Sequence, residues 1–392
     1  MGADVHRLRA EGRPVSEAWP DARGEAGGDS EPARLVSVDD IRRAAANLAG
    51  VAIRTPLLPF GTAGTGGPRV LLKAESLQPI GAFKIRGAYH TIASLTAEER
   101  ARGVVTHSSG NHAQGVARAA RLLGTHAVIV MPSNAPAVKR SRVEADGAEI
   151  ITVGPASSER EAKAEELRLE RGLVFVPPYD DDRVIAGQGT LGLEIAEDVP
   201  DLAAVLVPIG GGGLSSGVAV AIRALHPRAR ILGVEPEVAA DAQQSLREGR
   251  IVRWDASRTG STIADGVRSQ AIGLRPFAHL SRLLDDIVTV SEAEIAATVR
   301  LIAEEARLVA EPSGALAPAA ARFRAREAGI AGLMGTVVAV VSGGNVDPER
   351  YLALLQSPIP PSAGLGVVPF DLVDKGRHRR LASEPGVGRG HT

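Results

Sequence analysis

The chain contains no cysteine. That excludes disulfides, thiolate metal sites and cysteine nucleophiles, and it fits a reducing cell interior. An excess of either charge is lacking too: 45 Lys and Arg stand against 46 Asp and Glu, a formal net charge of -1 at pH 7. No long-range field therefore draws the chain to nucleic acid or anionic lipid. No apolar run is long enough to cross a bilayer, and the first residues carry scattered charges instead of the apolar core of a signal peptide. The simplest expectation is a soluble cytoplasmic protein with no nucleic-acid and no membrane partner.

At 392 residues the chain exceeds one ordinary core, so two domains are expected. Residues 1–33 and 357–392 are rich in Gly, Pro and Arg without apolar periodicity and are expected to be disordered tails. Between them, short β-branched runs alternate with Ala-rich helical patterns. Strands are predicted at residues 103–107, 127–131, 150–153, 173–176, 204–209, 230–234 and 337–341. Helices are predicted at 114–123, 158–171, 189–198 and 215–225, and a capping box at Ser291 and Glu294 opens another that runs to about Leu308. This alternation predicts an α/β fold with parallel sheets and crossover helices on both faces. Ligands bind such sheets at the carboxyl ends of the strands, where the unusual loops of this chain all fall.

Lys84 stands in the run Gly81-Ala82-Phe83-Lys84-Ile85-Arg86-Gly87-Ala88. Its apolar neighbours give the charge a reason to be lost, and a neutral amine can form a Schiff base. The same triplet suits a half-buried lysine whose stem runs along apolar surface. Ser108-Ser109-Gly110-Asn111-His112-Ala113-Gln114 follows a predicted strand and opens a helix, so its free amides make a seat for a carboxylate, or simply an N-cap with a glycine turn. A serine-protease-like triad is disfavoured, because no acid partner is indicated for His112. Gly210-Gly211-Gly212-Gly213-Leu214 lies between a strand and a helix and lets backbone amides approach a phosphate. It matches neither the Walker lysine motif nor the spaced glycines of a dinucleotide fingerprint. Ser342-Gly343-Gly344-Asn345 puts a hydroxyl at the same sheet edge, though alone it reads as a turn. Glu235 and Asp241, across Pro236 to Ala240, are either two ligands for a hard divalent cation or solvated surface acids.

In order along the chain, GAFKIRGA, SSGNHAQG, VIAGQGT, GGGGL, TIADGV, EPSGA and SGGN resemble the fold type II pyridoxal phosphate enzymes, in the threonine dehydratase and serine racemase branch. The similarity spans about Val36 to Leu355. It implies two open, twisted, mostly parallel sheets with helices on both faces and the cofactor between the domains: a large one at 34–98 and 181–356, a small one at 99–180. It also implies a homodimer.

The resemblance assigns roles position by position. Lys84 matches the lysine that holds pyridoxal 5'-phosphate and then moves the proton, with Phe83 packed on the ring. Asn111 matches the contact to the ring's phenolic oxygen. Gly210, Gly211, Gly212, Gly213 and Leu214 match the phosphate loop, and Ser342 the hydroxyl partner of the pyridine nitrogen. Ser108, Asn111 and His112 fall in the substrate-carboxylate loop. Arg160 falls where racemases have an arginine that approaches that carboxylate, and it reads equally as a solvent-facing charge. Ser109 sits where racemases have a second-face proton donor, whereas Pro178-Tyr179-Asp180-Asp181 resembles the Pro-Phe-Asp-Asp of dehydratases. Glu235, the Ala239 carbonyl and Asp241 match the branch's site for Mg2+ or another divalent cation.

The activity implied is a threonine or serine dehydratase, an ammonia-lyase that eliminates water from an L-β-hydroxy amino acid to give a 2-oxo acid and ammonia. Serine racemase and 3-hydroxyaspartate dehydratase activities are the alternatives within the enzyme class. Outside it stands a cofactor-holding regulatory protein without turnover. A Rossmann oxidoreductase is disfavoured, because no predicted strand is followed by the Gly-x-Gly-x-x-Gly fingerprint with its acidic partner.

Overall fold

Two parallel sheets carry the chain. The computed structural model describes residues 34–61, 68–108, 110–135, 137–155 and 157–361, so most of the two expected tails, and Ser109, lie outside the described residues. The larger sheet contains β1 (Leu57–Pro59), β2 (Arg69–Ala74), β7 (Leu202–Pro208), β8 (Arg230–Pro236), β9 (Asp286–Val290) and β10 (Thr336–Val341), in the order β1-β2-β10-β7-β8-β9. Only the β1–β2 pair is antiparallel. The smaller sheet contains β3 (Val104–His107), β4 (Ala127–Pro132), β5 (Glu149–Val153) and β6 (Val174–Phe175), in the order β5-β4-β3-β6, all parallel. Its strands fall in sequence between β2 and β7.

The central strands are apolar almost end to end, as strands covered on both faces must be. β10 reads Thr-Val-Val-Ala-Val-Val, and all six residues are buried. One face of the larger sheet packs under helices Asp182–Asp198, Gly213–Leu225 and Leu274–Leu283, through residues such as Leu191, Val218 and Leu280. Helices Glu292–Leu301 and Pro312–Phe323 cover the other through Ile295, Leu316 and Phe323. Helices Lys84–Ala93 and Asn111–Leu122 cover one face of the smaller sheet, and Ser157–Arg171 the other. In Lys84–Ala93, Ile85 and Ile92 are wholly buried at 0% exposure. Each such side chain contributes about 1.5–3 kcal/mol.

The parallel α/β architecture agrees with the sequence-based expectation. Three strands (β1, β2, β9) and several helices, among them Lys84–Ala93, Leu274–Leu283 and Pro312–Phe323, were not predicted, and helix Asp182–Asp198 begins seven residues before its predicted start. Gly187 lies before the predicted start, yet with Gly189 and Gly192 it belongs to the contact face of one continuous helix. A Cβ on Gly189 would lie 2.6 Å from Ile41 Cδ1 and 2.9 Å from the Gly217 carbonyl oxygen. The glycines let this helix approach its neighbours closely, and Asp181 caps its start by accepting from the Arg183 amide. The Ser291–Glu294 capping box is present, but the α-helix it opens ends at Leu301 and continues as a π-turn, Ile302–Ala306. Among the described residues no helix is long and apolar enough to cross a membrane.

Candidate active site

Lys84 is the first residue of its helix, and a second strip of chain fixes that start. Ala82 forms an antiparallel bridge with Gly343, the Phe83 amide donates to the Ser342 carbonyl at 3.1 Å, and the Gly344 amide donates to the Gly81 carbonyl at 2.9 Å. Segments roughly 260 residues apart in sequence are thus joined at the end of β10. The Lys84 Nζ donates to the Pro178 carbonyl at 2.6 Å and lies 5.1 Å from the centroid of the Phe83 ring. Burial pulls its pKa down from 10.5 to about 8. Among the described residues no carboxylate pairs with it, so little holds the charge in place.

Tyr179, next in the chain to Pro178, packs on the glycine run after β7. Gly212 takes a left-handed φ of 92° as N-cap of helix Gly213–Leu225. A Cβ on Gly211 would collide with the ring of Tyr179, and one on Gly213 would lie 2.9 Å from the Tyr179 carbonyl oxygen. The amides of Gly210 through Leu214 donate to no group among the described residues. A row of unused N–H donors at a helix start suits a phosphate. The segment Gly213-Leu214-Ser215-Ser216-Gly217 does have the Gly-x-Ser-x-Gly spacing of a nucleophile elbow. Ser215 is nevertheless fully buried in the helix and donates to the Gly212 carbonyl at 3.1 Å, so it presents no nucleophile.

Asn111 begins the helix after β3. Its Nδ2 donates to Glu311 Oε1 at 2.6 Å, and its Oδ1 accepts from Asn345 Nδ2 at 2.9 Å. The amides of Asn111, His112 and Ala113 have no acceptor among the described residues. Ser108 turns inward, its Oγ accepting from the Gly110 amide at 3.1 Å. His112 is buried, with Nε2 3.0 Å from the Val176 carbonyl. A carbonyl only accepts, so Nε2 carries the proton. Burial first, and the Lys84 charge second, push its pKa down to about 3, which keeps the ring neutral. Ser342, 5% exposed, donates to the Ser313 carbonyl at 3.3 Å.

Arg160 lies on helix Ser157–Arg171, half-buried, and donates to the Pro155 carbonyl at 3.4 Å. Burial lowers its pKa, and its charge helps disfavour protonation of His107 at the end of β3. It is therefore not a fully solvent-facing charge.

Glu235 and Asp241 are not surface acids either: each is 1% exposed. Glu235 accepts from the amides of Ala242 at 3.1 Å and Gln243 at 2.8 Å, and Asp241 Oδ2 is buried without a hydrogen-bond partner. Burial first, then the Asp241 charge, pushes the Glu235 carboxyl well up, and burial pushes Asp241 up to about 7. Two facing buried acids with one orphaned oxygen make a donor set for a hard cation. With only two acids, this pair is not a cluster of three; among the described residues no group of three or more His, Cys, Asp or Glu is placed to hold a metal.

Three side chains given no role on sequence grounds belong to this cleft: Tyr179 against the glycine run, Glu311 behind Asn111, and Asn345 beside them. Glu311 and Asn345 were visible only as members of the EPSGA and SGGN motifs. Nothing in the sequence linked either to Asn111.

A family model described as "Pyridoxal-phosphate dependent enzyme" matches residues 12–343. The chain is 44% identical over 290 residues to the L-threo-3-hydroxyaspartate ammonia-lyase of Saccharomyces cerevisiae, covering 74% of this chain and 86% of that protein. It is 43% identical over 315 residues to the L-threonine ammonia-lyase of Thermotoga maritima, covering 80% and 76%. In three dimensions it matches maize serine racemase with a TM-score of 0.74 at 37% identity, over 82% of this chain and 97% of that one. The free phosphate-type cradle, the buried lysine of lowered pKa and the hydroxyl at the end of β10 all fit that cofactor, and the chain belongs to the family of pyridoxal-phosphate-dependent enzymes.

Proposed function

We propose that this protein is an ammonia-lyase that removes water from an L-β-hydroxy amino acid of the threonine, serine or 3-hydroxyaspartate type, releasing a 2-oxo acid and ammonia. The observation that carries this reading is the Lys84 amine, without an acid partner among the described residues and with its pKa lowered to about 8, donating to a strip, Pro178-Tyr179, that also packs on an unused row of amides. The named ammonia-lyase relatives act on threonine and on 3-hydroxyaspartate, which supports the substrate class.

Lys84 would hold the cofactor, the amides of Gly210 to Leu214 its phosphate, Phe83 one ring face, Asn111 the ring oxygen and Ser342 the ring nitrogen. When bound, the cofactor supplies an electron-withdrawing ring that stabilises negative charge at the substrate α-carbon. The chain supplies the rest. Lys84 Nζ takes the α-proton, a task suited to an amine that is neutral near its working pH. The free amides of Asn111, His112 and Ala113, with the Ser108 loop, hold the substrate carboxylate and fix which bond lies toward Lys84. Ser342 would offer the ring nitrogen a neutral hydroxyl, which cannot hold it protonated as an aspartate would. Prompt loss of a β-substituent is thereby favoured over long-lived negative charge at the α-carbon. Glu235, the Ala239 carbonyl and Asp241 would hold a divalent cation beside the same cleft. This reading places the cofactor between a small domain at 99–180 and a large one at 34–98 and 181–356, in a homodimer.

Ammonia release from L-threonine, L-serine and L-threo-3-hydroxyaspartate tests the proposal. Activity is expected with at least one of them, and none with Lys84→Ala; turnover that survives Lys84→Ala would contradict it. Racemisation, the second reading, needs a proton donor on the opposite face, and the likeness to serine racemase favours keeping it in view. Ser109→Ala should abolish racemisation and leave water elimination in place.

A further inference from the structure

The Glu311-Pro312-Ser313-Gly314 turn is the part of the cleft to which no role has yet been given, and it touches both ends of the proposed ring site. At one end the Ser313 carbonyl accepts from Ser342. At the other, Glu311 Oε1 accepts from Asn111 Nδ2 at 2.6 Å. The backbone locks the turn to the loop after β10, since the Glu311 amide donates to the Gly343 carbonyl at 3.0 Å. Glu311 is also the N-cap of helix Pro312–Phe323, yet its side chain makes no capping bond. The carboxylate is turned away from the helix it begins and toward Asn111. Only a glycine fits beside it: a Cβ on Gly343 would press on Glu311 Oε1 and lie 3.1 Å from Asn111 Nδ2.

Asn111 has two N–H bonds on Nδ2. Glu311 takes one, Asn345 fixes the carbonyl side of the amide, and the second N–H is left to point at the ring oxygen. We propose that Glu311 is a positioning residue that acts through Asn111, setting the orientation of that amide and coupling the hydrogen bonding at the ring oxygen to the ionisation of its own carboxyl. This rests on the reading of the cleft given above.

The groups around Glu311 make such a switch workable near neutral pH. It is 3% exposed. Burial raises its pKa most, and Asp265 of the turn Asp265–Val267 adds to that. Lys139 of helix Ala137–Ala145, the Asn111 hydrogen bond and Arg350 of helix Pro348–Leu355 oppose it, leaving it at about 7. Lys139 and Asp265 pair with each other at 2.8 Å, and their effects on Glu311 oppose each other. Below that pH the carboxyl is neutral; above it, a negative charge sits one amide away from the ring oxygen.

The test is the pH dependence of the bound-cofactor absorbance between pH 6 and 8, in the wild type, Glu311→Gln and Asn111→Ala. The wild type should show a transition near pH 7. Glutamine still accepts from Asn111 but cannot ionise, so Glu311→Gln should keep the cofactor and lose the transition. Asn111→Ala should lose it as well, with the carboxyl intact; that variant decides the matter if Glu311→Gln does not fold. A wild type without the transition, or either variant retaining it, overturns the proposal. A parallel arm uses cofactor-free protein: difference infrared spectra between pH 6 and 8 should contain a carboxyl band that Glu311→Gln removes. Failure of the cofactor reading itself looks different, as a wild type with no Lys84-dependent absorbance at any pH.

Discussion

Lys84 owes its chemistry to what is missing around it. Its Nζ meets a carbonyl and an aromatic face but no acid among the described residues, so burial has nothing to oppose it and the pKa falls to about 8. A lysine of lowered pKa is neutral, and nucleophilic, above that value. The rate at which cofactor-free protein takes up pyridoxal phosphate should therefore climb from pH 7 through pH 8 and level off above it, as followed by absorbance. A rate that keeps climbing well above pH 8, as for an ordinary lysine, would show that the amine is not desolvated. Lys84 was legible from its run of neighbours. Glu311 was not, because its partner Asn111 lies 200 residues away and only the folded chain joins them.

At the scale of elements, helix Lys84–Ala93 is held by a buried ionic network as well as by apolar packing. Arg86, 1% exposed, donates to Glu75 at 2.8 Å and to Glu194 at 2.7 Å, and Lys73 donates to Glu194 at 2.6 Å. Burial, the largest single effect, would push Glu75 up, but the Arg86 charge and hydrogen bond, the Thr55 hydrogen bond and the Lys73 charge together outweigh it and hold the carboxyl below its usual range. Removing one member leaves a buried charge unpaired, so Arg86→Ala should lower stability by about 3–5 kcal/mol in denaturant unfolding. A loss under about 1 kcal/mol would mean that the network relaxes or hydrates. The sequence showed Arg86 only as a letter in a motif, because its partners come from β2, the turn after it and helix Asp182–Asp198. The same limit hid the start of that helix. Gly187 looks like a breaker until the helices it brings together are known, and a Cβ on it would lie 2.7 Å from the Arg86 carbonyl oxygen. Boundaries set by local capping, such as Ser291 with Glu294, were legible, because cap and partner are three residues apart.

Across the whole molecule, residues from both sheets meet over the cleft: Lys139 pairs with Asp265, and Arg142 donates to Asn345 at 2.6 Å. The parallel α/β architecture was legible because strand and helix patterns alternate along the chain. Their order across each sheet was not, since crossovers place β10 between β2 and β7. Glu235 and Asp241 were legible as a pair of acids but not as buried ones. Their folded pKa values lie above the ordinary carboxylate range, so without a cation the fold loses stability as pH rises from that range through about 7. A cation competes with the protons. Magnesium should accordingly raise the melting temperature more at pH 8 than at pH 6, and Asp241→Asn should remove most of the difference. An equal shift at both pH values would remove the basis for a cation at this pair.

The central claim is that Lys84 is the residue that bonds the cofactor. Incubation with pyridoxal phosphate, borohydride reduction and peptide mapping by mass spectrometry test it directly. The account predicts a single reduced adduct, on the peptide that contains Lys84. An adduct confined to Lys73, Lys139 or Lys163, or no adduct at all, would contradict it.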